Sequence, residues 1–516
     1  MRDKIKGIGR KMRRWHKWVG LISIFFILMF AGSGIFLNHR KAISGVDVSR
    51  SLLPDKYRYS NWNNGAVKGS FKLSSDSILV YGGSGIWLTD SLFSYFAPFS
   101  EGIKQGAENR IVGNVVGNKD MAAAVTTFGL YLLDDESGKW EDISDRVDSK
   151  ERFCDIATYG DTLVLLTRSH IFSSFSPYEA FHKQELMAPE GYKKETTLFR
   201  TLWTLHSGEL FHLPGRLFVD LLGVAVILLC FTGIVVTISP KLRRHIRSGA
   251  KSHSKKVSTL LRNSLTWHNK VGVVLLGFLL LLVLTGTFLR PPLLITIIGS
   301  KVGTIPGTSL NSDNPWFDKL RTIRYDRSED EWLIYTSDGF YSVKKFTDTP
   351  YKLTETPPVN VMGVTVLEQL GEHLWAVGSF SGLFYWNREA GVAVDAYTHT
   401  IAPLRRGGMP IFGTPVSGFS RDFKGNHTSF EYEYGARVLN RDEVHFADMP
   451  ESLHKEGRIS LWHLCLEIHT GRIYEPILGF FTDWFIFFSG ALFLSILISG
   501  YLVYRKHYKK KERRCI

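Results

Sequence analysis

A chain of 516 residues is too long for one ordinary hydrophobic core, so several structural units are expected. Its net charge of +14 reflects basic residues in short segments beside apolar runs, and these segments carry no nucleic-acid-binding motif, which argues against nucleic acid as a partner. The sequence also lacks CxxC and CxxCH motifs, which excludes motif-based structural zinc and covalently attached c-type haem.

Four stretches are apolar over enough residues to cross a hydrocarbon layer of about 30 Å. They are residues 18–37, 217–238, 271–289 and 477–503. Basic residues concentrate beside these stretches: residues 1–17, 240–270 and 505–516 hold 8, 9 and 7 Lys or Arg against 1, 0 and 1 acidic residues. The positive-inside rule then places both termini and the middle loop in the cytoplasm, and the two long polar tracts outside.

The first apolar run also fits a signal peptide, but three further spans that a cytoplasmic amino terminus orients correctly favour a retained helix. We therefore predict nine segments in chain order. They are a cytoplasmic tail (1–17), a first span (18–38), an outer β tract (39–205), a histidine motif with the second span (206–239), a basic cytoplasmic loop (240–267), a third span (268–290), a second outer β tract (291–467), a histidine motif with the fourth span (468–504) and a cytoplasmic tail (505–516).

The two halves of the sequence repeat each other. "RRWHKWVG" at 13–20 matches "LTWHNKVG" at 265–272, and the offset of 252 continues through the following span. It pairs His16 with His268, Gly20 with Gly272, and Gly34 with Gly286. On a helix these glycines share one stripe with the histidine, because 4 and 18 residues correspond to about one and five turns.

A second block repeats at an offset of 263. "LHSGELF" at 205–211 matches "IHTGRIY" at 468–474, which pairs His206 with His469 and, further on, Asp220 with Asp483. Because both halves have the same orientation, they are predicted to be parallel repeats around an axis along the membrane normal. Such symmetry brings His16 to His268 near the cytoplasmic side, and His206 to His469 near the outer side.

Histidine pairs at two levels of a helical bundle suit bis-imidazole ligation of two b-type haems. Imidazole is a good ligand for iron, and glycine lets a porphyrin approach the backbone. The simpler alternative is that each histidine anchors its helix at headgroup depth. Asp220 and Asp483 could form structural hydrogen bonds or support the histidines.

Several polar residues have no clear assignment from the repeat. His39, His212 and His463 lack symmetric partners, so each is either an alternative outer ligand or an interfacial polar residue. Cys154 and Cys465 would both lie outside, where either a disulfide or two free thiols are compatible with the compartment.

The repeated pattern "RRWHKWVG…SG" and "LHSGELFHLPGR…D…TG" resembles the PepSY-associated transmembrane family. The resemblance covers the spans and their flanks, and implies a bacterial inner-membrane protein similar to periplasmic ferric-siderophore reductases, with two haems in a four-helix bundle. It makes His16, His268, His206 and His469 the candidate ligands. The second copy, "IHTGRIYEPILGFFTD", lacks the Pro-Gly-Arg found at 214–216, and neither outer tract contains a recognisable PepSY domain.

The outer tracts contain another repeat. Apolar strands are followed by a short turn and a Gly-apolar-aromatic segment, as in "GIWLTD", "GLYLLD" and "HIFSSF" in the first tract, and "GFYSVK" and "GLFYWN" in the second. A period of about 40 to 45 residues is typical of β-propeller blades. If each tract contributes about three blades, both could share one propeller. Two independent small β-sandwiches are the alternative.

These observations predict a mixed membrane protein with four transmembrane α-helices in two parallel repeats that form a bundle, plus an all-β periplasmic region. The expected function is electron transfer across the lipid bilayer to a periplasmic acceptor, for which a ferric chelate is the candidate. No dinucleotide-binding motif lies in the cytoplasmic segments, so the donor should be a quinol or a redox partner protein. The alternative is a membrane-anchored periplasmic binding or regulatory module without redox activity.

Overall fold

The structure is a computed structural model that describes residues 2–118, 121–246, 251–402, 413–439, 441 and 443–507. Residues 247–250 of the predicted cytoplasmic loop and 508–516 of the predicted tail lie outside this set. The chain divides into two compact units. The helical unit comprises Met1–Arg40, Glu195–Asn311 and Trp462–Ile516, and the β unit comprises Lys41–Lys194 and Ser312–Leu461.

The described residues form ten α-helices, all but one of them in the helical unit. They are α1 (Arg2–Leu37), α2 (Leu198–Ser207), α3 (His212–Ile246), α4 (Lys251–Val274), α5 (Leu276–Phe288), α6 (Leu293–Ile297), α7 (Glu451–Glu456), α8 (Leu461–His469), α9 (Glu475–Leu478) and α10 (Thr482–His507). Within the helical unit, α1 packs against α3 and α10, α3 packs against α4, and α10 packs against α4 and α5.

Three of the four predicted spans coincide with segments that are long and apolar enough to cross a membrane. These segments are Arg10–Leu37, Glu209–Ser239 and Arg472–Lys506. The third predicted span is not straight, because Lys255–Val274 and Leu276–Phe288 meet at an angle of 65°.

The bend in the third span lies at Leu275, whose backbone has φ −93° and ψ 2°. Gly272 and Gly277 flank it, and glycine stabilises a straight helix less than other residues do. The expectation that His268, Gly272 and Gly286 share one stripe of a single helix is therefore wrong, since the bend separates Gly286 from the other two.

The two tracts that are predicted to lie outside the membrane, here called the outer tracts, consist largely of short β-strands, as predicted. In chain order, the strands are β1 (Asp47–Ser49), β2 (Gly69–Lys72), β3 (Ile78–Gly82), β4 (Gly85–Thr89), β5 (Ala97–Pro98), β6 (Val112–Asn118), β7 (Met121–Thr126), β8 (Leu130–Asp134), β9 (Lys139–Asp142), β10 (Phe153–Tyr159), β11 (Thr162–Thr167), β12 (Ile171–Phe175), β13 (His182–Gln184), β14 (Glu195–Thr197), β15 (Lys301–Gly303), β16 (Leu320–Asp326), β17 (Glu331–Thr336), β18 (Gly339–Val343), β19 (Tyr351–Lys352), β20 (Val364–Gly371), β21 (Leu374–Ser379), β22 (Gly382–Asn387), β23 (Val392–Asp395), β24 (Val416–Phe423), β25 (Asn426–Glu431), β26 (Gly435–Val438) and β27 (Arg458–Ser460).

These strands build six antiparallel meanders, which we call the six outer sheets: β2–β5, β6–β9, β10–β13, β16–β19, β20–β23 and β24–β26. Two short ribbons, β1 with β27 and β14 with β15, complete the set among the described residues. The first strand of each outer sheet contacts the first strand of the next, from β2 through β6, β10, β16 and β20 to β24, and β24 contacts β2 again. The two tracts therefore form one compact unit rather than two independent sandwiches.

A hydrophobic cluster fills each contact between neighbouring outer sheets. The apolar run in strand β11, "TLVLLT", is explained by its packing on both faces. Leu163 and Leu165 join the cluster shared with the preceding sheet, and Val164 and Leu166 join the cluster shared with the next one. Because successive side chains of a strand point to opposite faces, a strand covered on both faces needs apolar residues at every position.

One buried carboxylate connects three consecutive outer sheets. Asp155 on β10 is 4% exposed and accepts hydrogen bonds from Asn114 on β6 (3.1 Å) and from the backbone amide of Ile323 on β16 (3.0 Å). It also pairs with Arg324 of β16, with Nη1 2.5 Å from Oδ2. Asp155 thus links the last sheet of the first tract to the first sheet of the second.

We predict that Asp155→Ala lowers the free energy of unfolding of the β unit by about 3–5 kcal/mol, because removing one partner leaves a partly buried guanidinium without its counterion. Chemical unfolding followed by tryptophan fluorescence would measure the change. Asp135→Ala, which removes an exposed carboxylate in the turn after β8, is the control and should leave the midpoint unchanged. A shift no larger than that of the control would contradict the linking role of Asp155.

Candidate functional site

The structure brings the four repeated histidines together in the two predicted pairs. The ring centroids of His16 and His268 are 6.2 Å apart, with an angle of 71° between the ring planes. Those of His206 and His469 are 6.0 Å apart, at 53°. All four side chains belong to the helical unit and are partly buried.

His206 and His469, which we call the outer histidines after their predicted location, are positioned by a repeated helix ending. His206 lies in the last turn of α2, and Gly208 caps the end of this helix with φ +80°. His469 is the last residue of α8, and Gly471 follows it with φ +79°. The His-Ser-Gly and His-Thr-Gly triplets therefore each end a short helix, since glycine adopts this left-handed conformation at little cost.

Each histidine makes the same pair of contacts with a neighbouring helix. His16 Nδ1 lies 3.0 Å from the carbonyl oxygen of Ile496 and 3.2 Å from Ser499 Oγ. The other three repeat this pattern, with His268 against Leu229 (3.1 Å) and Thr232 (3.0 Å), His206 against Leu282 (3.0 Å) and Thr285 (3.3 Å), and His469 against Phe30 (3.1 Å) and Ser33 (3.1 Å).

These contacts determine which ring nitrogen carries the proton. A carbonyl oxygen can only accept, so Nδ1 must be the protonated nitrogen and must donate. In a neutral imidazole this leaves the lone pair of Nε2 free, which is the state required of a metal ligand. The neighbouring hydroxyl can accept the same N–H, because it gives its own hydrogen to its helix, as Ser499 does to the carbonyl of Ile496.

A glycine follows each of the four hydroxyl residues and provides room for the imidazole ring. A Cβ atom at Gly286 would lie 2.7 Å from His206 Cε1, and one at Gly34 would lie 3.1 Å from His469 Cε1. At Gly500 and Gly233 the corresponding distances are 2.8 Å to His16 Cε1 and 3.5 Å to His268 Cε1. The rings thus rest on Ser-Gly or Thr-Gly pairs.

The four glycines that were predicted to share a stripe with a histidine differ in their surroundings. Gly34 and Gly286 contact the outer histidines, each from the opposite repeat. A Cβ atom at Gly20 would meet no atom within 4 Å, and one at Gly272 would approach only Leu229 Cδ2, at 3.7 Å.

Sequence reasoning missed the residues that hold the imidazoles. Ser33, Thr285, Thr232 and Ser499 were given no role, nor were the glycines at 233 and 500, although the repeated pattern already ended in Ser-Gly and Thr-Gly. A signal was present, because each of the four apolar stretches contains a Ser-Gly or Thr-Gly pair, in "GSG", "FTG", "LTG" and "ISG". Polar residues in such stretches are uncommon and usually have a hydrogen-bonding role.

The two repeated aspartates lie away from the ring nitrogens. Asp220 accepts from Asn38 Nδ2 (2.8 Å), and its second oxygen lies 2.9 Å from Nε2 of His39. The nearest described cation to Asp483 is Arg290, at 3.8 Å. Among the described contacts, neither aspartate reaches a paired histidine.

The remaining unassigned residues have separate environments. His463 Nε2 lies 3.7 Å from a carboxylate oxygen of Glu467, and His212 is exposed. Cys154 and Cys465 are both free thiols. Burial raises the pKa of the Cys154 thiol, and nearby arginines partly offset this effect.

The ring separation in each histidine pair is compatible with both imidazoles binding one metal ion. A metal–imidazole bond is about 2.0 Å, and the ring centre lies about 1.1 Å beyond the nitrogen, so two imidazoles bound on opposite sides of one metal would have centroids about 6.2 Å apart. The observed separations are 6.2 and 6.0 Å. Two neutral imidazoles at each of two levels are the donor set of bis-histidine haem iron.

Comparisons with known proteins identify the membrane part. A family model described as PepSY-associated TM region matches residues 2–239 and 172–507. No curated protein matches the sequence.

Solved structures match over most of the chain at low similarity. The extracellular domain of a one component system from B. thetaiotaomicron is 10% identical, with a TM-score of 0.34, and the match covers 76% of this chain and 35% of that one. An ancestral GH74 enzyme is 7% identical, with a TM-score of 0.30, and the match covers 72% and 36%. The matched region thus spans little more than a third of each of these structures.

We predict that Gly286→Ala destabilises the helical unit by about 1–3 kcal/mol, since the added methyl group would force the His206 ring away from its hydrogen-bond partners. Gly20→Ala is the matched control, because its methyl group would meet no atom within 4 Å. Thermal unfolding in detergent would compare the two variants. Equal effects would show that the glycine at 286 is not needed to seat the imidazole.

Proposed function

This chain belongs to the family of PepSY-associated TM regions, and on that premise we propose that it is a di-haem electron-transfer protein of the bacterial inner membrane. His16 with His268, and His206 with His469, would each hold one b-type haem through Nε2. The observation that carries the proposal is the fourfold contact in which Nδ1 donates to a helix carbonyl beside a hydroxyl group.

The chain's own residues would prepare the ligands before a cofactor arrives. The carbonyl and hydroxyl partners hold each imidazole in one tautomer and at one position along the neighbouring helix. Loss of such hydrogen-bond partners of a ligand typically lowers metal affinity by about 10- to 100-fold. The glycines let each ring lie directly against a helix. Because the ring positions are set in advance, little conformational entropy would be lost on binding.

Haem at each level would supply a one-electron couple. The chain could then pass electrons from a quinol or a cytoplasmic partner to an acceptor outside the membrane. A ferric chelate is the proposed acceptor. Clusters of basic residues beside the apolar stretches support a topology with both termini in the cytoplasm. The histidine pair at 16 and 268 would then lie near the cytoplasmic side, and the pair at 206 and 469 near the outer side.

We further propose that the four apolar segments form one bundle of two parallel repeats, and that the six outer sheets form one propeller shared by both tracts. The cyclic order of helix contacts supports the first part. The contacts from β2 round to β24 and back, with a hydrophobic cluster between each pair of neighbouring sheets, support the second. A shared propeller would stand on the outer side of the membrane as a docking surface for the acceptor.

The full-length protein purified in mild detergent should contain about two b-type haems per chain, visible as reduced α and Soret bands and countable as the pyridine haemochrome. His16→Ala and His206→Ala should each lose about one haem, since each removes one of the two histidines that would hold it. His463→Ala is the control and should retain both, because its ring is not part of either pair. Absence of haem from the wild-type protein, or full occupancy in both ligand variants, would refute the proposal.

Electron delivery can be tested separately from haem content. Protein reduced anaerobically should be reoxidised by ferric citrate, and the rate should fall at least about tenfold in His206→Ala, because the outer cofactor would be the donor to the acceptor. Stopped-flow absorbance at the Soret band would follow the reaction. A fully loaded wild-type protein that ferric citrate does not reoxidise would rule out this acceptor while leaving the haem assignment intact.

A further inference from the structure

Two arginines lie close in sequence to the residues that form or support the outer histidine pair. Arg290 comes four residues after Gly286, the glycine that contacts the His206 ring. Arg472 comes three residues after His469 and belongs to the helical turn that follows it. Both basic side chains therefore lie close in the chain to the parts of the helical unit that hold the outer histidines.

Arg290 carries a charge that its described neighbours do not fully compensate. Its Nε is buried and has no hydrogen-bond partner among the described residues. Its nearest described carboxylate, on Asp483, lies 3.8 Å from Nη2, which is beyond hydrogen-bonding distance. The Asp483 side chain is also 68% exposed, against 23% for Arg290, so water weakens the attraction between them.

The other nearby carboxylate is already engaged. Glu467 is 7% exposed and is held by Arg472 through two contacts, one of them 3.1 Å between Nε and Oε2. Arg290 lies within electrostatic reach of both Arg472 and Glu467. A largely buried guanidinium at the edge of a membrane span is costly unless it is paired. This environment is therefore suited to an additional anion.

The two arginines break the symmetry of the repeats. At the offset of 252, Arg290 corresponds to Asn38, and at the offset of 263, Arg472 corresponds to Glu209. The paired histidines and their Ser-Gly or Thr-Gly supports occur in both halves, whereas this pair of cations occurs in one. Cations in one repeat only suit a ligand whose negative charges lie along one edge, and the two propionates of haem project from a single edge of the macrocycle.

We propose that Arg290, with Arg472 beside it, binds the propionate carboxylates of the haem held by His206 and His469. This inference rests on the proposed function. Arginine suits the role because its planar guanidinium can donate two parallel hydrogen bonds to one carboxylate. A phospholipid phosphate at the membrane edge has similar chemistry, so the test must separate the two anions.

The test compares protohaem with its dimethyl ester, which has the same ring and iron but no propionate charge. Full-length protein carrying His16→Ala leaves only the outer site and is purified from haem-depleted cells. In this background, Arg290→Gln should weaken protohaem binding by about tenfold or more, because charged hydrogen bonds are lost, and should leave ester binding unchanged. Absorbance titration gives both affinities.

Three further measurements separate specific from general effects. Arg290→Lys keeps the charge but not the paired donors, and should retain part of the preference for protohaem. Arg40→Gln is the matched control, because the Arg40 guanidinium already stacks on the Trp462 ring at 3.9 Å, and it should leave the ratio of the two affinities unchanged. Removing the cation should also lower the reduction potential of the outer haem, because a nearby positive charge favours the reduced state.

Several results would overturn the inference. If protein that retains Arg290 bound protohaem and the ester with equal affinity, the inference would fail. It would also fail if Arg290→Gln weakened the binding of both ligands equally. Loss of co-purified phospholipid with an unchanged affinity ratio would assign the site to lipid phosphate instead. If wild-type protein bound neither macrocycle, the proposed function itself would fail, which is a distinct outcome from binding both without preference.

Discussion

The helical unit depends on one hydrogen bond that occurs four times, from an imidazole Nδ1 to a helix carbonyl beside a Ser or Thr hydroxyl. Each of these bonds connects two different helices: α1 to α10, α4 to α3, α2 to α5, and α8 to α1. An N–H group without a partner is costly in an apolar environment, so the bonds strongly constrain where the helices can lie. The same bonds select the tautomer that leaves Nε2 as an acceptor or metal ligand.

Glycine makes this hydrogen bond sterically possible. The carbonyl and hydroxyl lie on the surface of the receiving helix, and at Gly286, Gly500 and Gly34 a Cβ atom would lie within about 3.1 Å of the imidazole ring, so a side chain there would crowd it. Gly34 of the first repeat receives His469 of the second, and Gly286 of the second receives His206 of the first. The two repeats therefore exchange contacts at this level, so each of these two imidazoles rests on a helix of the other half.

The β unit follows a different rule, because its sheets are covered on both faces. Apolar residues at successive strand positions fill the clusters on either side, and polar groups that remain inside must be paired. Asp155 shows how this pairing also joins the two tracts, through Arg324 and the backbone of Ile323. Since the tracts are separated in sequence by the second and third apolar stretches, their association brings together segments that local interactions could not connect.

The sequence by itself determined the apolar stretches, the doubled histidines and most of the repeated strands, because length, hydropathy and periodicity are local properties of a chain. It missed the sheet β24–β26, whose third strand reads "GARV" rather than Gly-apolar-aromatic, and it missed the bend at Leu275. Only the tertiary structure decided which carbonyl and hydroxyl each histidine meets, that Asp220 contacts His39, and that Arg290 is left with a buried unpaired nitrogen. These features depend on which distant segments become neighbours, and that choice is made by packing over the whole chain.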